Sequence, residues 1–387
     1  MSSDVALDVA GLRACEFAWM DHARGAYLNA ASTGPLPARA VAALHEFNER
    51  RAMPASIPVP EIFGILSRSR ELAARMVGAV PEEIAVAVDT SYGINVAARS
   101  LPLEPGDVIV TSDREFPANV YPWMAVQRDR GAQFRLVPCN GLLPDEDALI
   151  AALDEPRVRV LAISWVSFAS GAMVDLDRLG RACRERGIRF VVDAIQGLGA
   201  ATLDVSRTPI DILACGAQKW LLSPWGSGFL YVRRELIDTM EPQMVSWLAV
   251  KQSADFNRLL EYDLTWHDDA RRFELLTTGY QDLVGMNESL SLFLELGVDA
   301  VAARVRECAD RLVSGLVDRD DLQLVTPADP ARRAGIVVFA PKDTDGVCRR
   351  LDDGGVSYSL REGTVRLAPH VYTSDAELDL TLGLLAG

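Results

Sequence analysis

The sequence has few of the residues that build metal sites and disulfide frameworks. Its six cysteines are scattered over 387 residues without a CxxC pair, and its four histidines show no ligand-like spacing. We therefore expect no metal site, and the scattered cysteines predict a reducing, cytoplasmic location. No apolar run is long enough to span a bilayer, and the N-terminal segment lacks a basic start followed by an apolar stretch. Neither a membrane span nor a signal peptide is expected.

Excess positive charge and glycine-rich nucleotide motifs are also missing. The chain has 54 acidic and 39 basic residues, which gives a formal net charge of −15. This charge disfavours polyanionic partners, so we expect neither nucleic acid nor an anionic membrane surface to bind. Neither GxGxxG nor GxxxxGK occurs. A nicotinamide-dependent oxidoreductase and an NTP-binding protein are therefore excluded.

Short apolar runs alternate with amphipathic stretches from about residue 35 to 235, as α/β folds require. The runs that predict strands are EIAVAV (83–88), DVIVT (107–111), QFRLV (133–137), VRVLAIS (157–163), IRFVV (188–192), DILAC (211–215) and GFLYV (228–232). We predict a mostly parallel, seven-stranded sheet with both faces covered by helices.

The pattern changes towards the C-terminus. A helical stretch over roughly 280–317 precedes the strand-like runs GIVVFA, VSYSL and TVRLA, and SDAELDLTLGLLA predicts a last helix. These elements predict a smaller α+β domain. We place the large domain at 27–265 and the small domain at 266–387, with residues 1–26 packing against the small domain.

Three features of the large domain indicate a cofactor site. Lys219 lies in a turn between two strands, where lysine is uncommon unless its amine is used. Asp193 ends a buried strand, where it is either a ligand at the sheet's carboxyl edge or a helix N-cap. Ser91 and the amide of Tyr92 lie at a predicted helix N-terminus, which suits phosphate. Together they indicate pyridoxal phosphate (PLP), with a lysine Schiff base and an acid on the pyridinium nitrogen.

These motifs resemble the class V aminotransferase family of fold-type I PLP enzymes, which includes cysteine desulfurases, kynureninases and isopenicillin-N-epimerase-like proteins. The resemblance extends nearly end to end. It is carried by YLNAASTGPLP (27–37), DTSYGIN (89–95), EFPANVYPW (115–123), VVDAIQGLGA (191–200), GAQKWLLSPWGSGFLYV (216–232), RFELLTTGYQDLVGMNESL (272–290) and LREGTVRLAPHVYTSDAELD (360–379).

The resemblance implies a role for each matching residue. Lys219 would bind PLP covalently and act as the general acid and base. The cofactor contacts would be Asp193 on the ring nitrogen, Gln196 on the phenolic oxygen, Phe116 stacked on the ring, and Ser91, the Tyr92 amide and Gln218 around the phosphate. Thr277 would reach the phosphate of the neighbouring protomer, which implies a homodimer with composite sites.

Two arginines are assigned to the substrate in the same way. Arg366 matches the residue that binds the α-carboxylate, for which a guanidinium offers two parallel charge-assisted bonds. Arg361 is either a second anion contact or a support for its loop. Trp165, Trp225, Trp247 and Trp266 either pack in the core or an interface, or border the pocket and imply a bulky substrate.

Departures from the family pattern indicate the branch. The segment before Arg366 contains no cysteine, so persulfide transfer as in the desulfurases is not expected. Phe168 stands where many relatives have asparagine, and Gln218 stands where many have histidine. Both changes favour the kynureninase and epimerase-like branch, which also holds enzymes of natural-product pathways.

We predict an enzyme that acts at the α-carbon of an L-amino acid, with C–S β-elimination from an S-substituted cysteine as the leading reaction. Epimerisation or racemisation, transamination and decarboxylating deamination remain open because all of them begin at the same carbon. An inactive PLP-binding regulatory protein is the competing class.

Overall fold

A mostly parallel sheet lies at the centre of the fold. The computed structural model describes residues 7–275 and 279–386. The strands are β1 (Ala26–Tyr27), β2 (Ile84–Ala87), β3 (Val108–Ser112), β4 (Gln133–Val137), β5 (Val158–Ser164), β6 (Arg189–Asp193), β7 (Ile212–Gly216), β8 (Gly228–Val232), β9 (Leu322–Leu324), β10 (Val337–Pro341), β11 (Val356–Ser357), β12 (Ser359–Arg361) and β13 (Thr364–Leu367).

Helices cover the sheet on both faces. The helices of the described residues are α1 (Val9–Glu16), α2 (Ala38–Arg51), α3 (Val59–Val77), α4 (Thr90–Ser100), α5 (Tyr121–Arg130), α6 (Glu146–Ala152), α7 (Leu176–Glu185), α8 (Arg234–Ile237), α9 (Tyr280–Leu296), α10 (Val298–Leu316), α11 (Thr344–Asp353) and α12 (Asp375–Ala386). Short 3₁₀ helices lie at Ala18–Asp21, Pro54–Ser56, Pro81–Glu83, Pro117–Asn119, Trp247–Ala249, Ala270–Phe273 and Pro330–Arg332. Among the described residues, none of the helices is both long and apolar enough to cross a membrane.

The large sheet has seven strands in the order β2-β8-β7-β6-β5-β3-β4. Strand β8 is antiparallel to both of its neighbours, and the other four pairs are parallel. The predicted α/β fold and the predicted strands are therefore confirmed, with ends that differ by one residue at most. Every residue of β2, β3, β7 and β8 is buried, which explains why these strands are continuous apolar runs.

A second, antiparallel sheet has the order β12-β13-β10-β9 and packs with α10, α11 and α12. The predicted helical stretch over 280–317 was wrong in one respect, because it forms two helices. They meet at Gly297, whose φ of 84° is unfavourable for other residues and ends α9. The VSYSL run also divides, since β11 pairs in parallel with β1 while β12 joins the small sheet.

Contacts between distant parts of the chain bear on its domain organisation. The guanidinium of Arg13 in α1 donates to the carbonyl oxygen of Tyr372 and to the carboxylate of Glu377, each at 2.8 Å. Helix α9 packs against α2 and α3, which belong to the N-terminal part of the chain. The division into 1–26, 27–265 and 266–387 stays a prediction.

Candidate active site

Neighbouring strand ends bring the main candidate residues together. Strand β6 ends at Asp193 and its parallel neighbour β7 ends at Gly216, three residues before Lys219. On the other side, Ser164 at the end of β5 pairs with Asp193. Parallel strands present their carboxyl ends at one edge of a sheet, and this edge is where such folds bind ligands.

Asp193 is a buried carboxylate with only 2% of its surface exposed. One of its oxygens accepts the N–H of Ile195 at 3.0 Å. Burial raises the pKa of Asp193 to about 7, and the negative charge of Glu115 adds to that rise, while the Ile195 bond and Lys219 oppose it. A buried carboxylate with a raised pKa is stabilised most by a positively charged or proton-donating partner.

Lys219 differs from the other lysines of this chain. The sequence contains three lysines, and the other two, Lys251 and Lys342, are exposed. Burial lowers the pKa of Lys219 to about 8, and the positive charges of Arg366 and Arg361 lower it further, although Asp193 opposes them. Its Nζ lies 5.6 Å from the centre of the Phe116 ring. A substantial fraction of the amine is therefore neutral and nucleophilic near pH 8.

The turn that carries Lys219 is held by the segment 29–34. The N–H of Gly34 donates to the carbonyl oxygen of Gln218 at 2.9 Å, and a Cβ at Gly34 would lie 2.0 Å from the carbonyl oxygen of Lys219. Only glycine fits so close to another backbone. The motif at 27–37 thus belongs to the site because it packs directly on the lysine turn.

Gln196 is buried and both ends of its amide are bonded to protein groups. Its nitrogen donates to the carbonyl oxygen of Ala31 at 3.0 Å, and its oxygen accepts the indole N–H of Trp220 at 2.7 Å. One amide hydrogen remains for a ligand. Sequence reasoning missed Trp220 as a partner of Gln196, although the Lys-Trp pair was recognised as part of the motif.

The backbone N–H of Tyr92, in the first turn of α4, is bonded within the protein, an arrangement that the sequence did not predict. Asp89 is the N-cap of α4, and its carboxylate accepts the N–H of Tyr92 at 2.7 Å. The phosphate contact of the Tyr92 amide stays a prediction, and it would require this amide to exchange or share its bond to Asp89. Thr90 is also engaged, since its hydroxyl accepts the N–H of Gly216 at 2.8 Å.

Gln218 packs over Gly216 beside this helix end. The side-chain oxygen of Gln218 is buried and has no hydrogen-bond partner among the described residues. A Cβ at Gly216 would lie 2.5 Å from that oxygen and 3.3 Å from the nitrogen of Thr90, so only glycine fits there. Gln218 thus lies next to the helix N-terminus, where its amide nitrogen can bind an anion after a flip, and its phosphate contact stays a prediction.

Aromatic side chains form one wall. Phe116 is 45% exposed and packs edge to face against Phe168, with ring centres 5.3 Å apart. Ser91 and Phe116 line the same surface cavity of about 400 Å³, together with Tyr121. Phe116 thus presents an open ring face beside the amine of Lys219, as a stacking residue must.

Arg366 is a buried cation without a carboxylate. Only 3% of its surface is exposed, and its guanidinium donates to the carbonyl oxygen of Phe168 at 3.2 Å and to the hydroxyls of Ser32 at 2.9 Å and Ser359 at 3.4 Å. Its Nε has no partner. Burial lowers the pKa of Arg366 to about 10, and Arg361 lowers it further. A buried charge left in this state favours an anionic ligand.

The remaining predicted residues are placed less centrally. Arg361 is exposed on β12, and Thr277 lies outside the described residues. Trp165 is buried against Gly197, while Trp225 and Trp247 are 71% and 47% exposed. Trp266 is half-buried and its N–H reaches the carboxylate of Glu241 at 3.4 Å.

Sequence reasoning also missed Glu115, which lies beneath Asp193. Its side chain is partly buried, and its carboxylate accepts four hydrogen bonds, from the hydroxyl of Ser112, the amide of Asn119, and both the N–H and hydroxyl of Ser164. It thereby joins the ends of β3 and β5 to the turn that carries Phe116. Its position directly before Phe116 was the signal in the sequence that it belongs to the site. A glutamate in a polar loop is usually solvated, so this signal was weak.

The assembled residues fit pyridoxal phosphate. The amine of Lys219 and the carboxylate of Asp193 suit the aldehyde and the ring nitrogen, and Phe116 offers a ring face. The amide of Gln218, whose oxygen is unpaired next to the N-terminus of α4, suits the phosphate. Within 7–275 and 279–386, no cluster of three or more histidine, cysteine or acidic residues is arranged to hold a metal ion.

A family model described as aminotransferase class V matches residues 26–359. The chain belongs to the class V aminotransferase family. Members of this family are enzymes that use pyridoxal phosphate, which agrees with the site, and the recognition, the enzyme class and the cofactor predicted from the motifs are confirmed.

Relatives of this class V chain include isopenicillin N epimerases and probable cysteine desulfurases. An isopenicillin N epimerase of Streptomyces clavuligerus is 30% identical over 367 residues, which are 91% of this chain and 92% of the relative. A probable cysteine desulfurase of Pyrococcus abyssi is 28% identical over 337 residues, which are 82% and 81% of the two chains. Both relatives match over most of their length.

Solved structures share the fold at lower identity. The cystine C–S lyase C-DES in complex with its reaction product, cysteine persulfide, has a TM-score of 0.86 and 22% identity over 95% of this chain and 98% of its own. The cysteine desulfurase of Thermococcus onnurineus has a TM-score of 0.85 and 23% identity over 100% and 98% of the two chains. These likenesses confirm the fold-type I architecture.

Proposed function

We propose that this class V enzyme is a C–S β-lyase that cleaves an S-substituted L-cysteine into a thiol, pyruvate and ammonia. The observation that carries the proposal is that Lys219 is a buried amine beside the Phe116 ring, whereas the groups whose charges act most on it are poor bases. Among the described residues, these main groups are Asp193, Arg366, Cys215 and Arg361. Elimination needs one base at the α-carbon, whereas epimerisation by two bases needs a second on the opposite face.

None of these other groups is suited to be that second base. Cys215 is 1% exposed on β7, and burial raises the pKa of its thiol far above the neutral range. Arg366, with a pKa of about 10, stays protonated at neutral pH. Asp193 is committed to the ring nitrogen in the proposed arrangement. Lys219 is therefore the base at the α-carbon in this proposal.

The residues divide the work of elimination. PLP, when bound, withdraws electrons from the α-carbon of an attached amino acid. Arg366 holds the α-carboxylate, Asp193 holds a proton at the ring nitrogen, and the Lys219 amine accepts the α-proton. The electrons of the C–H bond form the Cα–Cβ double bond, and those of the Cβ–S bond leave with sulfur as a thiolate. Water then releases pyruvate and ammonia, and no external oxidant or reductant is required.

The hairpin before Arg366 supports elimination over persulfide transfer to the enzyme. Strands β12 and β13 are joined by Glu362 and Gly363, whose φ angles of 46° and 76° are those of a tight two-residue turn. No cysteine lies on this hairpin. Cys348, the nearest in sequence, is in α11. In the proposed reaction, the sulfur leaves with the product.

The test combines cofactor trapping with product analysis. The purified holoenzyme is expected to show a visible absorption band that borohydride abolishes, with the reduced cofactor attached to Lys219. Lys219→Ala should lose this attachment, and Lys251→Ala, at an exposed lysine, should keep it. S-substituted cysteines should then yield equal amounts of thiol and pyruvate in wild type and neither in Lys219→Ala. A colourless protein that stays colourless with added PLP would overturn the proposal. A coloured protein that releases no product from any amino acid would favour the PLP-binding regulatory protein.

Epimerisation is the second candidate, because the relative at 30% identity is named an isopenicillin N epimerase. The same samples distinguish the two reactions in D₂O. Deuterium at the α-carbon with loss of optical activity, but without pyruvate, would establish an epimerase or racemase. An oxo-acid that retains the side chain would establish transamination, and release of carbon dioxide would establish decarboxylation.

We also propose a homodimer in a reducing cytoplasm, with Thr277 reaching the neighbouring site. A cluster of exposed apolar side chains within 245–264 supports an interface, since monomers rarely expose such patches. Its members are Val245, Trp247, Phe256, Leu259, Leu260, Tyr262 and Leu264. Sedimentation of the holoenzyme should give twice the chain mass of 42.2 kDa. For Thr277→Ala, a dimer with weakened PLP binding is expected, and unchanged binding would contradict the composite site.

A further inference from the structure

Two arginines project from one face of the hairpin formed by β12 and β13. Arg361 pairs with Thr364, and Ser359 pairs with Arg366. Side chains of directly opposed residues share a face of a sheet, and so do residues two positions apart on one strand. Arg361 and Arg366 therefore lie on the same face, about 7 Å apart along the strand direction. Arg366 is buried at the inner position, and Arg361 is exposed at the turn.

Neither arginine has an acidic partner within the described chain. Arg366 donates only to a carbonyl oxygen and two hydroxyls, and its Nε is unpaired. Arg361 donates to the carbonyl oxygen of Leu360, and no carboxylate of the described residues, including that of Glu362, lies within 4.0 Å of its guanidinium nitrogens. Arg13, in contrast, forms ion pairs with Asp21 and Glu377.

The positive charges of Arg361 and Arg366 both act on the amine of Lys219. Both lower the pKa of Lys219, and Arg361 lowers that of Arg366. Lys219 would be bound to the cofactor, so Arg361 and Arg366 are the two permanent cations of this group. A single α-carboxylate neutralises only one of them.

An apolar surface connects the site with its surroundings. Phe116 and Phe168 pack edge to face beside Lys219, and the carbonyl oxygen of Phe168 accepts a bond from Arg366. A thioether stem can pack on these rings, since sulfur and aromatic rings attract each other. The site therefore offers an apolar stretch with a cation at the inner position and another at the mouth.

We propose that the substrate carries two anionic groups, an α-carboxylate bound by Arg366 and a side-chain carboxylate bound by Arg361. This inference rests on the proposed function and names its substrate class: cysteine thioethers whose S-substituent ends in a carboxylate. The backbone positions of the two arginines are about 7 Å apart along the strand, so a short S-carboxyalkyl group is the substituent that we expect to reach from one arginine to the other. Arg361 is a binding residue in this scheme and takes no part in proton transfer.

The test uses a pair of ligands that differ only in charge. S-carboxymethyl-L-cysteine and its neutral amide, S-carbamoylmethyl-L-cysteine, are titrated into the holoenzyme, and binding is followed by the change in cofactor absorbance. Wild type should bind the carboxylate about fivefold to tenfold more tightly, as a partly desolvated charge-assisted bond allows. The preference should shrink at about 0.5 M salt, because Arg361 is exposed.

Variants assign the preference to one side chain. Arg361→Gln should bind the two ligands equally and bind the amide as wild type does. Arg349→Gln, which removes an exposed arginine of α11, should retain the wild-type preference. Equal binding of both ligands by wild type, or an unchanged preference in Arg361→Gln, would overturn the inference.

Thiol release, measured in the same titrations, separates this inference from the proposed function. A charge preference that depends on Arg361 without thiol release would leave the anion site standing and remove the lyase assignment. Thiol release without a charge preference would do the reverse.

Discussion

The indole N–H of Trp220 donates to the side-chain oxygen of Gln196 over 2.7 Å. Because an indole nitrogen can only donate, this bond fixes which end of the Gln196 amide is oxygen. The amide nitrogen is thereby directed to Ala31, with one hydrogen left for a ligand. Trp220, the residue after Lys219, thus orients the amide of Gln196. The two residues follow different strands, since Gln196 comes after β6 and Trp220 after β7.

Trp220→Phe should loosen this amide while keeping the aromatic packing. We expect a loss of about 1–2 kcal/mol in unfolding free energy, because the buried Gln196 oxygen loses its donor, and a weaker PLP affinity. Urea unfolding and PLP titration measure the two effects. Trp266→Phe is the control, since its N–H reaches Glu241 outside the site. Equal effects of both substitutions on PLP affinity would contradict an orienting role.

Glu115 predicts a contrast between two substitutions. In Glu115→Gln the amide oxygen can keep the three bonds from Asn119 and Ser164, and the amide nitrogen can donate to the Ser112 hydroxyl. We expect a stability change within about 1 kcal/mol. Glu115→Ala leaves those donors unpaired and should cost about 3 kcal/mol or more, with weaker PLP binding through Phe116. Chemical unfolding compares them, and similar losses in both variants would argue against this network.

The pH dependence of cofactor capture reports the pKa of Lys219. Capture needs the neutral amine, so its rate in the cofactor-free protein should rise with pH and level off above about 8. Asp193 raises the pKa of Lys219 and Arg366 lowers it. Asp193→Asn should therefore move the midpoint to lower pH, and Arg366→Gln should move it to higher pH.

Borohydride trapping followed by intact mass measurement gives these midpoints. Lys219→Ala is the blank and should show no capture. Shifts of the same sign in Asp193→Asn and Arg366→Gln would show that the two charges do not act on this amine as the structure places them.

His370 predicts an acid-sensitive contribution to stability. Its buried ring stacks between Trp220 and Tyr372, and its Nε2 lies 2.9 Å from the carbonyl oxygen of Trp220. Burial lowers its pKa to about 4 from 6.5. The unfolded chain therefore binds more protons than the folded one between these values. The stability that depends on a neutral His370 is present above about 6.5 and is lost as the pH falls towards 4.

The difference between wild type and His370→Gln isolates this effect from other titrating groups. On acidification from about pH 6.5 to 4, wild type should lose up to ~1.4 kcal/mol per pH unit more than the variant. His45→Gln, at an exposed histidine, should follow wild type. Parallel stability curves for wild type and His370→Gln would contradict the prediction.

The strands could be predicted from the sequence because burial on both faces makes them continuous apolar runs. The break at Gly297 was missed, since the amphipathic pattern is helical on both sides of it. Asp89, Thr90 and Ser91 are all good N-cap residues, so the sequence does not show which of them caps α4 or that the Tyr92 amide donates to Asp89. Lys219 and Asp193 were recognised because each is chemically unusual at its strand end.

Partners from distant parts of the chain could not be predicted in this way. Ser32 bonds to Arg366, which lies 334 positions away in the chain. Serine is common in loops, so nothing local marks Ser32 as part of the site. Glu115 was missed for a similar reason, because only the packing of β3 against β5 buries it.

The pairing of the chain's beginning with its end has a consequence for synthesis on the ribosome. Strand β1 requires β11, and Asn29 bonds to Ser359, 330 positions later. The segment 26–34 is therefore synthesised early, whereas the residues that it pairs with are synthesised almost last. The large sheet contains all its strands by Val232 and can form sooner. A nascent chain stalled before residue 356 would hold Lys219 without Arg366, and under the proposed function it would be inactive for that reason.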